Sequence, residues 1–325
     1  MTYRDAVYDV TSYLSDHPGG DRLLIAAGGS DATEAFDDVG HSEDAEETME
    51  GMKVGSLSGW VTLLPSALLW LFRKTERKAV ETRSETALDR NKYRPLTLIE
   101  KDKVGKNAWR LRMAFPDQRS RSGLAVGQHI SLRASIAGKT VIRSYTPTSR
   151  PTHAGSLDLT IKVYEDGVMG NHLQDRSLGE PIHVRGPHGR FHYRRNASKK
   201  LVCIAGGSGI TPMFNVIQEI CLDERDHTEV ILLYASRSED DTMMKRELER
   251  LKMVRPSKLE VEYLVSRPAY GSGLEPARFS GDYLAERLGA LDDDTKYLVC
   301  GPDAMVDMVS EGLTGLNAEA DVHIF

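Results

Sequence analysis

Two histidines, His17 in His17-Pro18-Gly19-Gly20 and His41 in Val39-Gly40-His41-Ser42, lie in short loops on either side of a stretch with two helix-like patterns. Imidazole is a common iron ligand, and two held in separate loops could grip one metal from opposite faces. Pro18 disfavours the helical region at His17, and the following glycines permit a tight turn with close backbone approach. One such histidine alone reads more simply as a hydrogen-bonded loop residue; the pair is what points to a metal. Farther along, Arg143-Ser144-Tyr145-Thr146-Pro147 has the character of a strand ending in a turn, with Arg143 and Tyr145 on one face. A guanidinium there can neutralise a pyrophosphate bidentately while the ring lies against a planar heterocycle. A third pattern begins at Leu201-Val202-Cys203-Ile204-Ala205, a buried-type strand running into Gly206-Gly207-Ser208-Gly209-Ile210-Thr211-Pro212-Met213. Pro212 suits a first helical position, and the glycines let a ligand approach the backbone. The loop is not the G-x-G-x-x-G fingerprint, and alone it is weak evidence. Tyr297-Leu298-Val299-Cys300-Gly301-Pro302 repeats the arrangement, and both loops would leave the carboxyl ends of parallel strands, where open α/β sheets bind ligands.

The elements that must position these residues divide into four segments. Residues 1–56 form a compact acidic module. Residues 57–92 are a linker that opens with the 13-residue apolar run Trp60–Phe72 and continues into a charged stretch. Residues 93–196 alternate apolar and polar positions between Gly, Pro and Ser turns, which predicts antiparallel β structure closed as a barrel. Residues 199–325 alternate apolar strands with helical patterns, which predicts an α/β domain with a parallel sheet, its boundary drawn at 197. Within the barrel segment Ile161-Lys162-Val163-Tyr164 reads as a second strand. Gly167-Val168-Met169-Gly170-Asn171 reads as a turn into a short helix whose N–H groups can meet phosphate oxygens. Asp31-Ala32-Thr33-Glu34 has the form of a capping box, and Ser42 can cap a following helix. Leu23, Leu24, Ile25, Phe36 and Val39 supply apolar walls around the two histidines.

Charge is distributed unevenly. Residues 1–58 carry 13 Asp/Glu against 3 Lys/Arg, a balance of −10 in a chain of net charge −6, so the remainder balances to +4. Such asymmetry suits electrostatic docking of the first module on the rest. No concentrated basic patch suggests nucleic acid. The three cysteines Cys203, Cys221 and Cys300 are widely spaced, which fits a reducing compartment and supplies neither a disulfide framework nor an iron–sulfur ligand set. The run 60–72 is too short for a bilayer-crossing helix, which needs about 20 residues. Its Trp residues and basic flank suit a monotopic membrane contact, and a linker packed on a domain is the alternative.

Residues 7–57, through His17-Pro18-Gly19-Gly20, Asp31-Ala32-Thr33-Glu34-Ala35-Phe36 and Asp38-Val39-Gly40-His41-Ser42, resemble the cytochrome b5 family. The resemblance implies an α+β fold holding a b-type haem, with His17 and His41 as axial ligands and no open iron position for oxygen or substrate. The family's upstream strand and aromatic have no evident counterpart before Val7, which predicts a weakened edge. Residues 93–325 resemble NADH–cytochrome b5 reductase within the ferredoxin–NADP reductase superfamily, an arrangement also found in the C-terminal half of eukaryotic nitrate reductases. By that resemblance Arg143, Ser144, Tyr145, Thr146, Ile161, Val163, Tyr164, Met169, Gly170 and Asn171 hold FAD. Gly206, Gly207, Gly209, Pro212, Gly301 and Pro302 line the nicotinamide nucleotide site, and Lys162 reaches the nucleotide. Thr211 and Cys300 stand nearest the chemistry, and Phe325 matches the family's final aromatic.

Ser236-Arg237 could serve a 2′-phosphate, but Asp240 and Asp241 oppose one, and a carboxylate can accept from a ribose 2′-hydroxyl. The reading therefore favours NADH over NADPH, with Asp241 at the ribose. The implied activity is that of an NADH-dependent cytochrome b5 reductase-type enzyme carrying electrons through FAD and haem b to an external protein such as a lipid desaturase, a hydroxylase or a haem–thiolate monooxygenase. A diaphorase-type reductase or an oxygen-reducing flavin oxidase is the alternative. The implied location is cytoplasmic, with the cytosolic face of the endoplasmic reticulum as the option opened by residues 60–72.

Overall fold

A computed structural model describes residues 1–17, 21–33, 35–36, 41, 43–56, 86–289, 294–316, 318 and 321–325. The apolar run 60–72, the turn at residues 18–20, Glu34, Val39 and the cap expected at Ser42 lie outside the described residues. Among the described residues, no helix is long and apolar enough to cross a membrane.

The first module is built on three short antiparallel strands in the order β1 (Thr2–Tyr3), β2 (Ala6–Tyr8) and β3 (Lys53–Ser56). The upstream strand and its aromatic are therefore present, contrary to the weakened edge expected before Val7. Tyr3 is only 6% exposed, and its ring centroid lies 4.8 Å from that of Phe36. Two strand residues are too few to show an alternation, so only the fold reveals them. The strand at Val7 ends at Tyr8 because the Asp9 carboxylate accepts from both the backbone N–H and the hydroxyl of Thr11, turning the chain into a 3₁₀ helix over Thr11–Asp16. Helices α1 (Asp21–Ala27) and α2 (Glu43–Glu50) complete the module. Its core is small: Tyr3, Ala6, Tyr8, Val10 and Met49, with Leu24 and Phe36 packed against them.

The second unit is a six-stranded antiparallel sheet of β4 (Arg94–Lys103), β5 (Ala108–Ala114), β6 (His129–Ile136), β7 (Lys139–Tyr145), β8 (Ser156–Lys162) and β9 (Pro181–His188). The order is β7-β6-β9-β4-β5-β8. Inward residues of β4, β5, β6, β8 and β9 share one core that includes Leu98, Leu111, Leu132, Leu159 and Val184, so the sheet curls around its own interior. Helix α3 (Val168–Asp175) plugs that interior with Met169 and Leu173. The two terminal strands, β7 and β8, carry the two motifs singled out above, and the seam between them is where a ligand can enter.

The third unit is a five-stranded parallel sheet of β10 (Lys200–Gly206), β11 (Glu229–Ser236), β12 (Leu259–Val265), β13 (Thr295–Cys300) and β14 (Val322–Ile324). The central strands are nearly continuous apolar runs, as a sheet covered on both faces requires. Helices α4 (Ile210–Leu222), α5 (Lys245–Val254), α6 (Gly281–Leu288) and α7 (Asp303–Gly315) connect them. The order β12-β11-β10-β13-β14 reverses direction between β10 and β13, where Ala205 pairs with Cys300. Doubly wound sheets bind ligands at such a reversal, beyond the carboxyl ends of the strands.

Candidate functional site

The His17 and His41 ring centroids are 6.3 Å apart, with planes 25° from parallel. A metal–imidazole bond is about 2.0–2.1 Å and a ring nitrogen lies about 1.1 Å from its centroid, so one metal between two facing imidazoles sets the centroids about 6.3 Å apart. The pair thus fits a single axially ligated iron. His41 Nδ1 lies 2.9 Å from the Phe36 carbonyl oxygen. A carbonyl can only accept, so Nδ1 carries the proton and Nε2 is left bare as the ligand atom. The Phe36 ring lies flat on His41 at 3.9 Å and 5°, which fixes the imidazole plane. Of the expected apolar walls, Leu24 enters the protein core, while Leu23 and Ile25 remain 58% and 60% exposed. Two residues apart on a helix, they do not share a face.

A second site is a cavity of about 920 Å³ along the β7–β8 seam and the end of the parallel sheet. From β7 it receives Arg143, Ser144, Tyr145 and Thr146; from β8 and beyond, Ile161, Lys162 and Tyr164; from the start of α3, Met169 and Gly170. The glycine loops contribute Gly209, Thr211, Pro212, Cys300 and Gly301, and the C-terminus contributes Phe325. Sequence motifs far apart in the chain thus converge on one volume. Val163, Asn171, Gly206, Gly207, Asp241 and Pro302 do not line it. Val163 is in the barrel core, and Asn171 donates to the Tyr164 and Glu165 carbonyls, so both shape the wall from behind. Gly209 is demanded by the protein itself: a Cβ there would stand 2.2 Å from the Cys300 carbonyl oxygen. The two glycine loops touch, and this closeness is what brings Thr211 and Cys300 to the same cavity.

The lining suits a flavin dinucleotide. The exposed Arg143 cation and the α3 N-terminus, where Gly167, Val168, Met169 and Gly170 border the cavity, offer two places for diphosphate oxygens. Burial pushes the Tyr145 hydroxyl up to about 12, against a smaller opposing pull from Arg143, so a neutral ring is presented. Burial likewise pushes the Cys300 thiol up to about 11, which makes it a protonated, poorly nucleophilic group. Thr211 donates its hydroxyl hydrogen to the Ser208 carbonyl at 3.2 Å and keeps oxygen lone pairs to accept from a ligand.

Several contributing residues escaped the sequence reading. Gly127, His129, Arg190, Phe191 and His323 line the cavity, with Phe191, His323 and Phe325 packed ring to ring at 4.8–5.2 Å. Asn215, buried in α4, accepts from the Gly127 N–H at 2.9 Å and donates to the Pro147 carbonyl at 3.1 Å. One turn on, Glu219 takes a two-point bond from Arg150. These contacts fix the nucleotide unit against the barrel. No local pattern marks them, since their partners lie 69–88 positions away. Ala35 of the first module also borders the cavity, and it is next in sequence to Phe36.

Residues 1–58 match the cytochrome b5-like haem/steroid binding domain family, residues 95–193 the oxidoreductase FAD-binding domain and residues 203–311 the oxidoreductase NAD-binding domain. The chain is a cytochrome b5-like module fused to an FAD- and NAD-binding oxidoreductase. The fused oxidoreductase is homologous to the C-terminal half of nitrate reductases. It is 31% identical over 349 residues to an NADH nitrate reductase of Brassica napus and 36% identical over 351 residues to an NAD(P)H nitrate reductase of Hordeum vulgare. These alignments cover 98% and 97% of this chain but only 38% and 39% of the relatives. The cytochrome b5 reductase domain of Ulva prolifera nitrate reductase superposes with a TM-score of 0.70 at 28% identity, covering 74% of this chain and all of that one. A flavohemoglobin from Malassezia yamatoensis shares the fold at 18% identity, with a TM-score of 0.67 over 97% of this chain and 82% of its own. FAD, haem and NADH are accordingly the redox groups of this electron-transfer oxidoreductase.

Proposed function

We propose that the fused oxidoreductase is a cytochrome b5 reductase-type enzyme that takes electrons from NADH in preference to NADPH and hands them singly to a separate acceptor protein. When bound, FAD and haem supply the conversion of a two-electron donor into one-electron transfers. The observation that carries the reading is the 6.3 Å His17–His41 pair: with imidazole on both faces, the haem position offers no coordination site for a substrate. Electrons must then leave across a protein surface. Arg143 and the α3 N-terminus would hold the dinucleotide, and Thr211 and Cys300 would frame the place where the nicotinamide meets the flavin ring. The touching glycine loops set that distance, because hydride transfer depends on alignment more than on acid–base chemistry. Ala35 at the cavity and Phe36 stacked on His41 link the two sites through adjacent residues.

The acceptor is proposed by class only: a desaturase, a hydroxylase or a haem–thiolate monooxygenase. Nitrate reduction belongs to relatives of which this chain spans less than two fifths. Anaerobic stopped-flow mixing with NADH tests the reading: flavin bleaching should precede the spectrum of a ferrous six-coordinate haem, and oxidised cytochrome c should then reverse both. A bleached flavin beside a haem that stays ferric would overturn it, as would peroxide formation outrunning cytochrome c reduction in air.

A further inference from the structure

Three side-chain contacts join the barrel to the nucleotide unit, and one is placed unlike the others. Asn215 and the Arg150–Glu219 pair do not border the cavity, whereas Lys162, at the end of β8, does. Lys162 Nζ stands 3.0 Å from Asp241 Oδ1 across the junction, with the two side chains 12% and 13% exposed. Ser238 donates to the second Asp241 oxygen at 2.9 Å. Burial works against a charged Asp241, but the hydrogen bonds from Lys162 and Ser238 prevail and hold its carboxyl below the usual range. The carboxylate therefore points at a lysine, both its oxygens are engaged, and it is not part of the cavity wall.

We propose that Asp241, steadied by Ser238, is a positioning residue: it holds the Lys162 ammonium at the wall of the cavity for the diphosphate of the nicotinamide nucleotide, and does not read the ribose 2′-position. The inference rests on the nucleotide reading of the cavity and changes what Asp241 does within it. A free lysine stem samples many rotamers and loses them on binding phosphate, so a carboxylate that orders the stem beforehand removes that entropic cost from the binding step. The ammonium has three donors, so it can keep Asp241 and still meet a phosphate oxygen. The clamp spans two units, so it forms only where the nucleotide unit is seated on the barrel. A lysine competent for phosphate is thereby tied to a correctly assembled cleft.

The test uses the full chain carrying FAD and haem. NAD⁺ affinity is measured by titration calorimetry, and kcat and KM for NADH and NADPH with ferricyanide as acceptor. Asp241→Asn should raise the NAD⁺ Kd and the NADH KM about tenfold, with kcat within about twofold and the NADH:NADPH ratio of kcat/KM unchanged. Ser238→Ala should move the same quantities by about threefold. The charge exchange Lys162→Asp with Asp241→Lys should restore the melting temperature, because the pair re-forms, yet leave NAD⁺ binding impaired, because a carboxylate now faces the cavity. A drop in the NADH:NADPH ratio for Asp241→Asn would make Asp241 a reader of the ribose and overturn the proposal. Recovery of both stability and NAD⁺ affinity in the charge exchange would reduce the pair to a structural clip and overturn it equally. If Asp241→Asn fails to fold, the charge exchange and Ser238→Ala still decide. A parent protein that binds no NAD⁺ would refute the nucleotide reading itself; a parent that binds it, beside variants that bind equally well, would refute only the clamp.

Discussion

The haem module and the reductase half solve the problem of holding a redox group in opposite ways. The module has five buried core residues and three strands of two to four residues, and its two ligand histidines face each other across a gap. Its interior is completed by what it binds. The reductase half has extensive cores behind both sheets and a cavity framed by rigid strand ends, so its binding site exists because the protein packs well without help. Ligand binding to the native state adds directly to stability, and the increment matters most where the protein's own core is small.

The sharpest way to break this comparison is to remove a ligand histidine. His17→Ala or His41→Ala should abolish the haem spectrum and the cooperative melting of the module, while NADH–ferricyanide activity and the reductase transition in calorimetry stay at parent values. A reductase half that melts earlier in these variants would show that the two regions are not independent. The converse is Asn215→Ala, which leaves the Gly127 N–H and the Pro147 carbonyl without their buried partner. At roughly 2 kcal/mol for each stranded group, the reductase transition should lose about 4 kcal/mol with the haem spectrum untouched.

Acid offers a third probe. Burial, followed by the charges of Arg185, His129 and Arg90, pushes the His188 imidazole down from 6.5 to about 4. The unfolded chain therefore takes up a proton near pH 6.5 that the fold refuses until about pH 4. Stability from this group is complete above pH 6.5 and falls by roughly 3 kcal/mol as the pH drops to 4, below which both states are protonated. His188→Leu should flatten that part of the melting-temperature profile of the reductase half, and an unchanged slope would remove His188 from the account. The smallest expected effect is Arg143→Ala, which should lower FAD affinity about tenfold through loss of one charge-assisted contact. Equal flavin occupancy after gel filtration at low protein concentration would count against that contact.

The two regions also differ in how far their sites could be read in advance. The haem ligands were legible because the signal is local: each histidine sits in a short run of turn and capping residues, and the two runs are close in sequence. The barrel and the parallel sheet were legible in kind, since strand alternation and continuous apolar runs are periodic properties of the chain itself. Tyr3, Asn215, Arg190, Phe191 and His323 were not, because nothing in their immediate neighbours distinguishes them from ordinary core or surface residues. Asp241 is the instructive case. Its charge and its place after β11 suggested a ribose contact, but its side chain turns to Lys162, a residue 79 positions earlier in the sequence.

Residue type and spacing alone therefore determined which chemistries this protein carries: two imidazoles for one iron, a guanidinium and an aromatic for a flavin dinucleotide, and glycine loops after parallel strands for a nicotinamide. Only the tertiary structure decided how those groups are joined. The curl of the barrel opens a seam between β7 and β8, the reversal of strand order brings two glycine loops into contact, and Asn215 and Lys162 lock one unit onto the other. The reason is physical: side-chain chemistry and local periodicity are properties of short segments, whereas a hydrogen bond or ion pair between distant segments exists only once the chain has closed upon itself.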